Sequence, residues 1–319
     1  MATADKLNFI SQEFQLYVGM CIVIIGFTGN LFNIIIFITL QTFRETPSGF
    51  YLIVISTINM GHIIIALFIR ILSEGFKTNI RGIPWVCKFQ LATATWFHLV
   101  SLTTLCLATI DQCISMSRYR QYSNRRVAKR AVILTCMVYL AVWIANAIYW
   151  NAPLGTCMII NSDFAKYSSY FQYPVLMGVI PLSTTTIFAS LAFYKIRQLK
   201  TRQVHIIRLS HDRQLTAMTL CHAIFVVTMT ILFIVTFTYT TVQTIADAEL
   251  KARVNLVHSI ATLINYGGFA VSFVMFLYFL DEIIIILGHI LYLLLCLTTF
   301  SQTVRFRIEK DMLQCRFNQ

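Results

Sequence analysis

An all-α fold, a seven-transmembrane helix bundle with its N-terminus extracellular and its C-terminus cytoplasmic, is predicted for this 319-residue chain from three observations. Seven apolar stretches are each long enough to cross a bilayer, the density of lysine and arginine swings between successive loops, and 57% of residues are hydrophobic against 12% charged. The mean hydropathy of +0.71 leaves too little polar surface to cover a soluble fold of this length.

A span requires roughly 20 mostly apolar residues. The stretches run near residues 16–40, 50–72, 88–115, 130–152, 170–194, 215–243 and 254–280. Together they occupy most of the chain, so residues 1–319 are read as one domain, with no internal repeat and no low-complexity linker. The segment before the first span, Met1 to Gln15, lacks the basic start and short apolar core of a cleavable signal, so the first span itself serves as the insertion signal.

Orientation follows from the short loops. One set carries Arg44, then Arg118, Arg120, Arg125, Arg126, Lys129 and Arg130, then Lys195, Arg197, Lys200, Arg202, Arg208 and Arg213. The opposite set, with the N-terminal segment, carries Lys6, Lys77, Arg81, Lys88, Lys166, Lys251 and Arg253. The richer set belongs in the cytosol, where it sets topology and meets anionic membrane lipid. The net charge of +12 therefore does not point to nucleic acid, because the basic residues flank spans and are not interleaved with aromatics on a soluble surface.

Most cysteines (Cys21, Cys106, Cys113, Cys136, Cys221, Cys296) sit in or beside apolar spans, where they behave as small hydrophobes. Cys87, at the outer mouth of span three, and Cys157, after span four, both lie on the oxidising side. A disulfide between them would tie that loop over the bundle mouth.

The order and spacing of several residues resemble the rhodopsin-like (class A) G-protein-coupled receptors over nearly the whole chain. Gly29-Asn30 is similar to that family's Gly-Asn pair in span one, Asn59 stands where span two usually has Asp, Trp143 marks span four and Pro181 span five. Asp111 ends span three 24 residues after Cys87, the position of the acidic residue in the family's Asp-Arg-Tyr motif. The resemblance implies a plasma-membrane, multi-pass receptor that is not an enzyme, takes no cofactor or metal, binds an extracellular ligand and passes the signal to a heterotrimeric G protein.

The departures carry expectations of their own. The triplet reads Asp111-Gln112-Cys113, so the central Arg and its contact to the G protein are missing, and Arg118 lies too far along to replace it in the same helical position. Asn59 offers an oxygen but no charge, which disfavours sodium regulation. Ser272 to Phe276 aligns with Asn-Pro-x-x-Tyr by position alone, and span seven has no Lys, which excludes a retinal Schiff base.

Polar residues in the outer half of the spans are the ligand candidates, since lipid rejects them. Ala94, seven residues after Cys87, stands where amine receptors of this family place an Asp, which disfavours a biogenic amine. His98 is one turn deeper and Thr95 shares its side of the helix. An interhelical histidine and a hydroxyl bonded within its own helix are the competing readings. Arg70 suits an anionic ligand group and snorkelling to headgroups equally. Tyr173, Tyr239, Gln243 and His258 complete the set. This mixture favours a peptide or small polar molecule. Tyr149, Trp150, Tyr167 and Tyr170 read together as an interfacial aromatic belt.

After span seven, an apolar run from Ile283 to Leu297 is short for a span and would carry Arg305, Arg307, Lys310 and Arg316 outside. It is read as an interfacial or helix-extending insertion before an amphipathic tail. A transporter or channel is the alternative, and would want repeated halves, broken helices or intramembrane charges along a path. An enzyme would need a catalytic constellation at membrane depth that the spans do not offer.

Overall fold

The computed structural model describes residues 2–39, 46–115, 117, 120–153, 155–199, 206–242 and 247–270. Side chains are described in these segments apart from residues 2–3, 120, 193, 196–199 and 206–220. The expectations for Arg118, Gln243, Ser272, Phe276 and the apolar run 283–297 lie outside the described residues.

Local capping signals open the helices. Thr46 accepts the Gly49 amide at 3.1 Å and is followed by Pro47, whose missing N–H costs nothing in a first turn. Asn124 accepts the Arg126 amide at 3.0 Å, and Asn161 accepts those of Asp163 and Phe164 at 2.8 and 3.0 Å. Asp247 accepts the amides of Glu249 and Leu250 at 3.2 and 3.3 Å.

The helices are α1 (Ala2–Thr39), α2 (Pro47–Gly75), α3 (Pro84–Ser115), α4 (Arg125–Tyr149), α5 (from Ser162 through Ile180–Leu199), α6 (Ile206–Val242) and α7 (Ala248–Ala270). Segments within α1 to α6 are long and apolar enough to cross a membrane, and the described part of α7 does not belong to that set. This is a multi-pass, helical membrane protein. Large apolar side chains on α4 are left uncovered: Ile133, Leu134, Met137 and Ile148 are each more than half exposed, an arrangement that suits lipid and not water.

Packing runs around a ring. α1 lies along α2 and α7, α2 along α3, α3 along α5, α5 along α6 and α6 along α7, while α4 stands outside the ring against α3. α1 approaches its neighbours closely at Gly26, where an added Cβ would come within 2.5 Å of Ile63 and 2.9 Å of the Ala270 methyl. Wide π turns interrupt two helices, at Ile63–Phe68 and Ile71–Gly75 in α2 and at Ser168–Val179 in α5. The last contains Pro174, which has no N–H to donate and whose ring crowds an ordinary α-turn.

Several predicted boundaries change, and α6 among them starts at Ile206, before residue 215. α1 begins at Ala2, well before residue 16, and α5 begins at Ser162, before residue 170. α4 ends at Tyr149, where the predicted span ran to 152. Trp150 and Asn151 (β1) instead pair antiparallel with Met158 and Ile159 (β2), so a short hairpin follows the helix. Trp150 thereby leaves the predicted belt: it is buried against Cys87, Ala152 and Phe164, and its Nε1 donates to Asn146 at 3.1 Å. Tyr149, Tyr167 and Tyr170 remain exposed.

Candidate functional site

The hairpin is joined to the start of α3 by the Cys87–Cys157 disulfide, with Cα atoms 5.7 Å apart. Beneath it lies a cavity of about 870 Å³, within the range of small-molecule pockets. Arg70, Thr95, His98, Tyr173 and His258, five of the predicted ligand contacts, line it together, from α2, α3, α5 and α7. Tyr239 does not: it sits on α6, about half exposed, outside the cavity wall.

The wall is polar at one end and aromatic at the other. At the polar end Glu74 receives two guanidinium groups, Arg70 Nε at 3.0 Å and Arg81 Nη1 at 2.7 Å. Arg81 lies in the turn between α2 and α3. Burial pulls its pKa below the ordinary value while Glu74 opposes that shift, and an arginine stays charged through such a change. The α1 extension adds Asp5, Gln12 and Gln15, and Gln12 anchors it by donating to the Gly75 carbonyl at 2.8 Å.

At the aromatic end His62 and His98 face each other edge-on, with ring centroids 5.5 Å apart. Phe269 packs edge-on to both at 5.0 Å, and Tyr266 lies 5.1 Å from His62. Phe233 and Phe237 close the side toward Tyr173 and His258. His62 Nδ1, His98 Nε2 and both amide atoms of Gln15 are buried without a hydrogen-bond partner among the described residues. Such groups cost free energy unless something satisfies them. Among the described residues no group of three or more metal-ligating side chains is assembled.

Sequence reasoning missed Glu74, His62 and Gln15. Glu74 was findable, because it stands four residues after Arg70, the spacing of an intrahelical ion pair. His62 sits in the middle of a span with nothing in its local pattern to separate it from a packing residue.

Deeper in the bundle the remaining candidates form polar cross-links. Asn30 Nδ2 donates to Gly26 O at 2.7 Å and Phe269 O at 3.2 Å, tying α1 to α7. Asn59 accepts from Ser101 Oγ at 2.6 Å, tying α2 to α3. Trp143 Nε1 donates to Thr93 at 3.1 Å, holding α4 to α3. The Pro181 carbonyl accepts from Thr185 Oγ1 one turn on at 2.6 Å and, weakly, from Cys106 Sγ of α3 at 3.9 Å.

At the end of α3 away from the disulfide, Asp111 is nearly buried and accepts from Ser123 Oγ at 2.8 Å and, more weakly, Ser48 Oγ at 3.4 Å. Gln112 Nε2 donates to the same Ser48 Oγ at 2.6 Å. Ser48 therefore bridges the two residues of the triplet from the first turn of α2. Lys195 of α5 reaches the same end of α3, donating to the Cys113 carbonyl at 3.3 Å.

No family model matches the chain. An alpha-2A adrenergic receptor of Danio rerio is 22% identical to it over 202 residues, which is 63% of this chain and 50% of that receptor. The chain spans about half the length of the curated relative it matches. This distant likeness and the six long apolar helices are together consistent with a G-protein-coupled receptor.

Proposed function

We propose that the chain is a rhodopsin-like receptor of the plasma membrane that binds an extracellular ligand and signals through a heterotrimeric G protein. Its seventh crossing includes α7. The disulfide end is outside, the Asp111 end and the C-terminus are cytoplasmic, and residues 1–319 act as one domain. The observation that carries this reading is the cavity under the disulfide-tethered hairpin, lined by Arg70, Thr95, His98, Tyr173 and His258.

The ligand is a peptide or small polar molecule. The amine suggested by the relative's name is not our choice, because the cavity wall has Ala94 at the position where a carboxylate would hold it. Glu74, a carboxylate of the cavity wall, is already held by two arginines. Agonist binding among α2, α3, α5, α6 and α7 shifts a two-state bundle toward an opening at the Asp111 end. There the basic loops of residues 117–130 and 195–213 meet the G protein.

The test is a ligand-library screen in cells expressing the full chain with a promiscuous G protein. A ligand-dependent second-messenger response that is lost in His98→Ala at normal surface expression is expected. A response unaffected by substitution of the cavity residues would refute the assignment of the site.

A further inference from the structure

The charge of the cavity wall is unbalanced in a way that names a ligand class. Arg70, Glu74 and Arg81 form one cluster of two cations and one anion, with side chains 16%, 32% and 20% exposed. Among the described residues the other charged lining groups, Asp5 and Lys77, are of opposite sign, so with histidines neutral this part of the wall keeps one formal positive charge. Arg81 Nε is buried and has no hydrogen-bond partner among the described residues. A partly desolvated cation with a spare donor is costly alone and favours an anionic partner.

We propose that the Arg70–Glu74–Arg81 cluster takes the carboxylate of a small aromatic organic acid, an inference that rests on the receptor reading and deepens it. One spare positive charge matches a monoanion, whereas a phosphate carries close to two negative charges at neutral pH and would be undercompensated. The planar guanidinium fork suits a carboxylate. The acid's ring lies against Tyr266, Phe233 and Phe237, and a polar ring substituent meets the imidazoles of His62 and His98, which are 2% and 4% exposed. Glu74 holds the two arginines in place and limits the affinity, because it competes for the same donors.

The test uses the purified full chain in lipid nanodiscs, with phenylacetate, hydroxyphenylacetate and indole acetate as probes, each beside its primary amide and the corresponding amine. Thermal stabilisation by at least one acid at millimolar concentration is expected, with amides and amines weaker by about a hundredfold, the usual order for leaving a buried charge unpaired. Arg81→Gln should weaken the acid by a similar factor. Glu74→Gln should strengthen it by roughly tenfold, by releasing the competed donors. That gain cannot come from misfolding and keeps the test decisive if Arg70→Gln or Arg81→Gln is unstable. Stabilisation by amides or amines equal to that by acids, no acid stabilising at all, or an acid affinity unchanged in Glu74→Gln would each overturn the proposal. The same acids are then applied to cells. Acid binding without any second-messenger change refutes the receptor reading alone, and signalling by a neutral ligand without acid preference refutes the acid site alone.

Discussion

Ser48→Ala tests whether the contacts at the Asp111 end hold the bundle in its resting state. Ser48 Oγ accepts from Gln112 Nε2 at 2.6 Å and donates to Asp111 Oδ2 at 3.4 Å, and all three residues are buried. Alanine removes both contacts without adding bulk. A buried hydrogen bond is worth about 1 kcal/mol net and one to a charged group somewhat more, but the second contact is long, so the loss is about 2 kcal/mol in total. If the contacts exist in the resting state and are broken in the active one, that loss falls entirely on the resting state. About 2 kcal/mol is a factor of roughly 30, which would raise an active population of about 1 per cent to about a quarter. The assay is basal second-messenger output, normalised to surface expression, for wild type, Ser48→Ala and the hydroxyl-retaining Ser48→Thr. Ser48→Ala should raise basal output by roughly twentyfold and Ser48→Thr should not. A Ser48→Ala protein that loses thermal stability yet keeps wild-type basal output would refute the reasoning, since the contact would then be common to both states.

Cys87→Ser frees the hairpin from α3. The two cysteines are 70 residues apart, and loop-closure entropy for such a length has an upper bound of about 4 kcal/mol. Lower surface expression or loss of ligand response is expected, and full activity would count against a role for the bond. Gln112→Arg restores the central Arg of the family's triplet beside Asp111 and should strengthen ligand-driven coupling, whereas an unchanged signal at normal surface expression would argue against G-protein coupling. Gly26→Ala sets a helix-propensity gain of about 1 kcal/mol against overpacking of about 1–3 kcal/mol, because the new methyl meets Ala270 at 2.9 Å. A lowered melting temperature is expected there, and a raised one for Gly267→Ala, whose Cβ would meet nothing within 4 Å among the described residues.

The long apolar helices were legible because lipid demands a continuous run of apolar residues, a property local in sequence. Helix ends were not, although their caps were present. Hydropathy treats polar residues as facing water, but Gln12 and Gln15 of α1 and Gln172 of α5 face the protein interior, so the helices run on where the apolar pattern stops. The capping residue Asn161 marks the true start of α5, eight residues before its apolar pattern begins. Trp150 failed for a related reason: an aromatic at a span end reads as interfacial unless its partner is known, and its partners, Asn146 and the Cys87 region, come from the hairpin fold.

The site divides along the same line. Arg70, Thr95, His98, Tyr173 and His258 converge because polar residues in the outer halves of lipid-facing helices have only the interior to turn to. Their partners were hidden in proportion to sequence distance. Glu74 is one turn from Arg70 and could be inferred from spacing, whereas Ser48 is 64 residues from Gln112 and no local pattern joins them. This matters most at the triplet. Sequence comparison exposes a missing arginine and suggests a lost switch. The packing of α2 on α3 instead supplies neutral donors, Ser48 and Ser123, to the same carboxylate. Hydrogen bonds from neutral hydroxyls to a carboxylate lack the second charge and bidentate fork of a guanidinium contact. A bundle latched by them should pass more readily to its active state than one latched by an ion pair, so Gln112→Arg should change both the basal output and the ligand-driven increment above it.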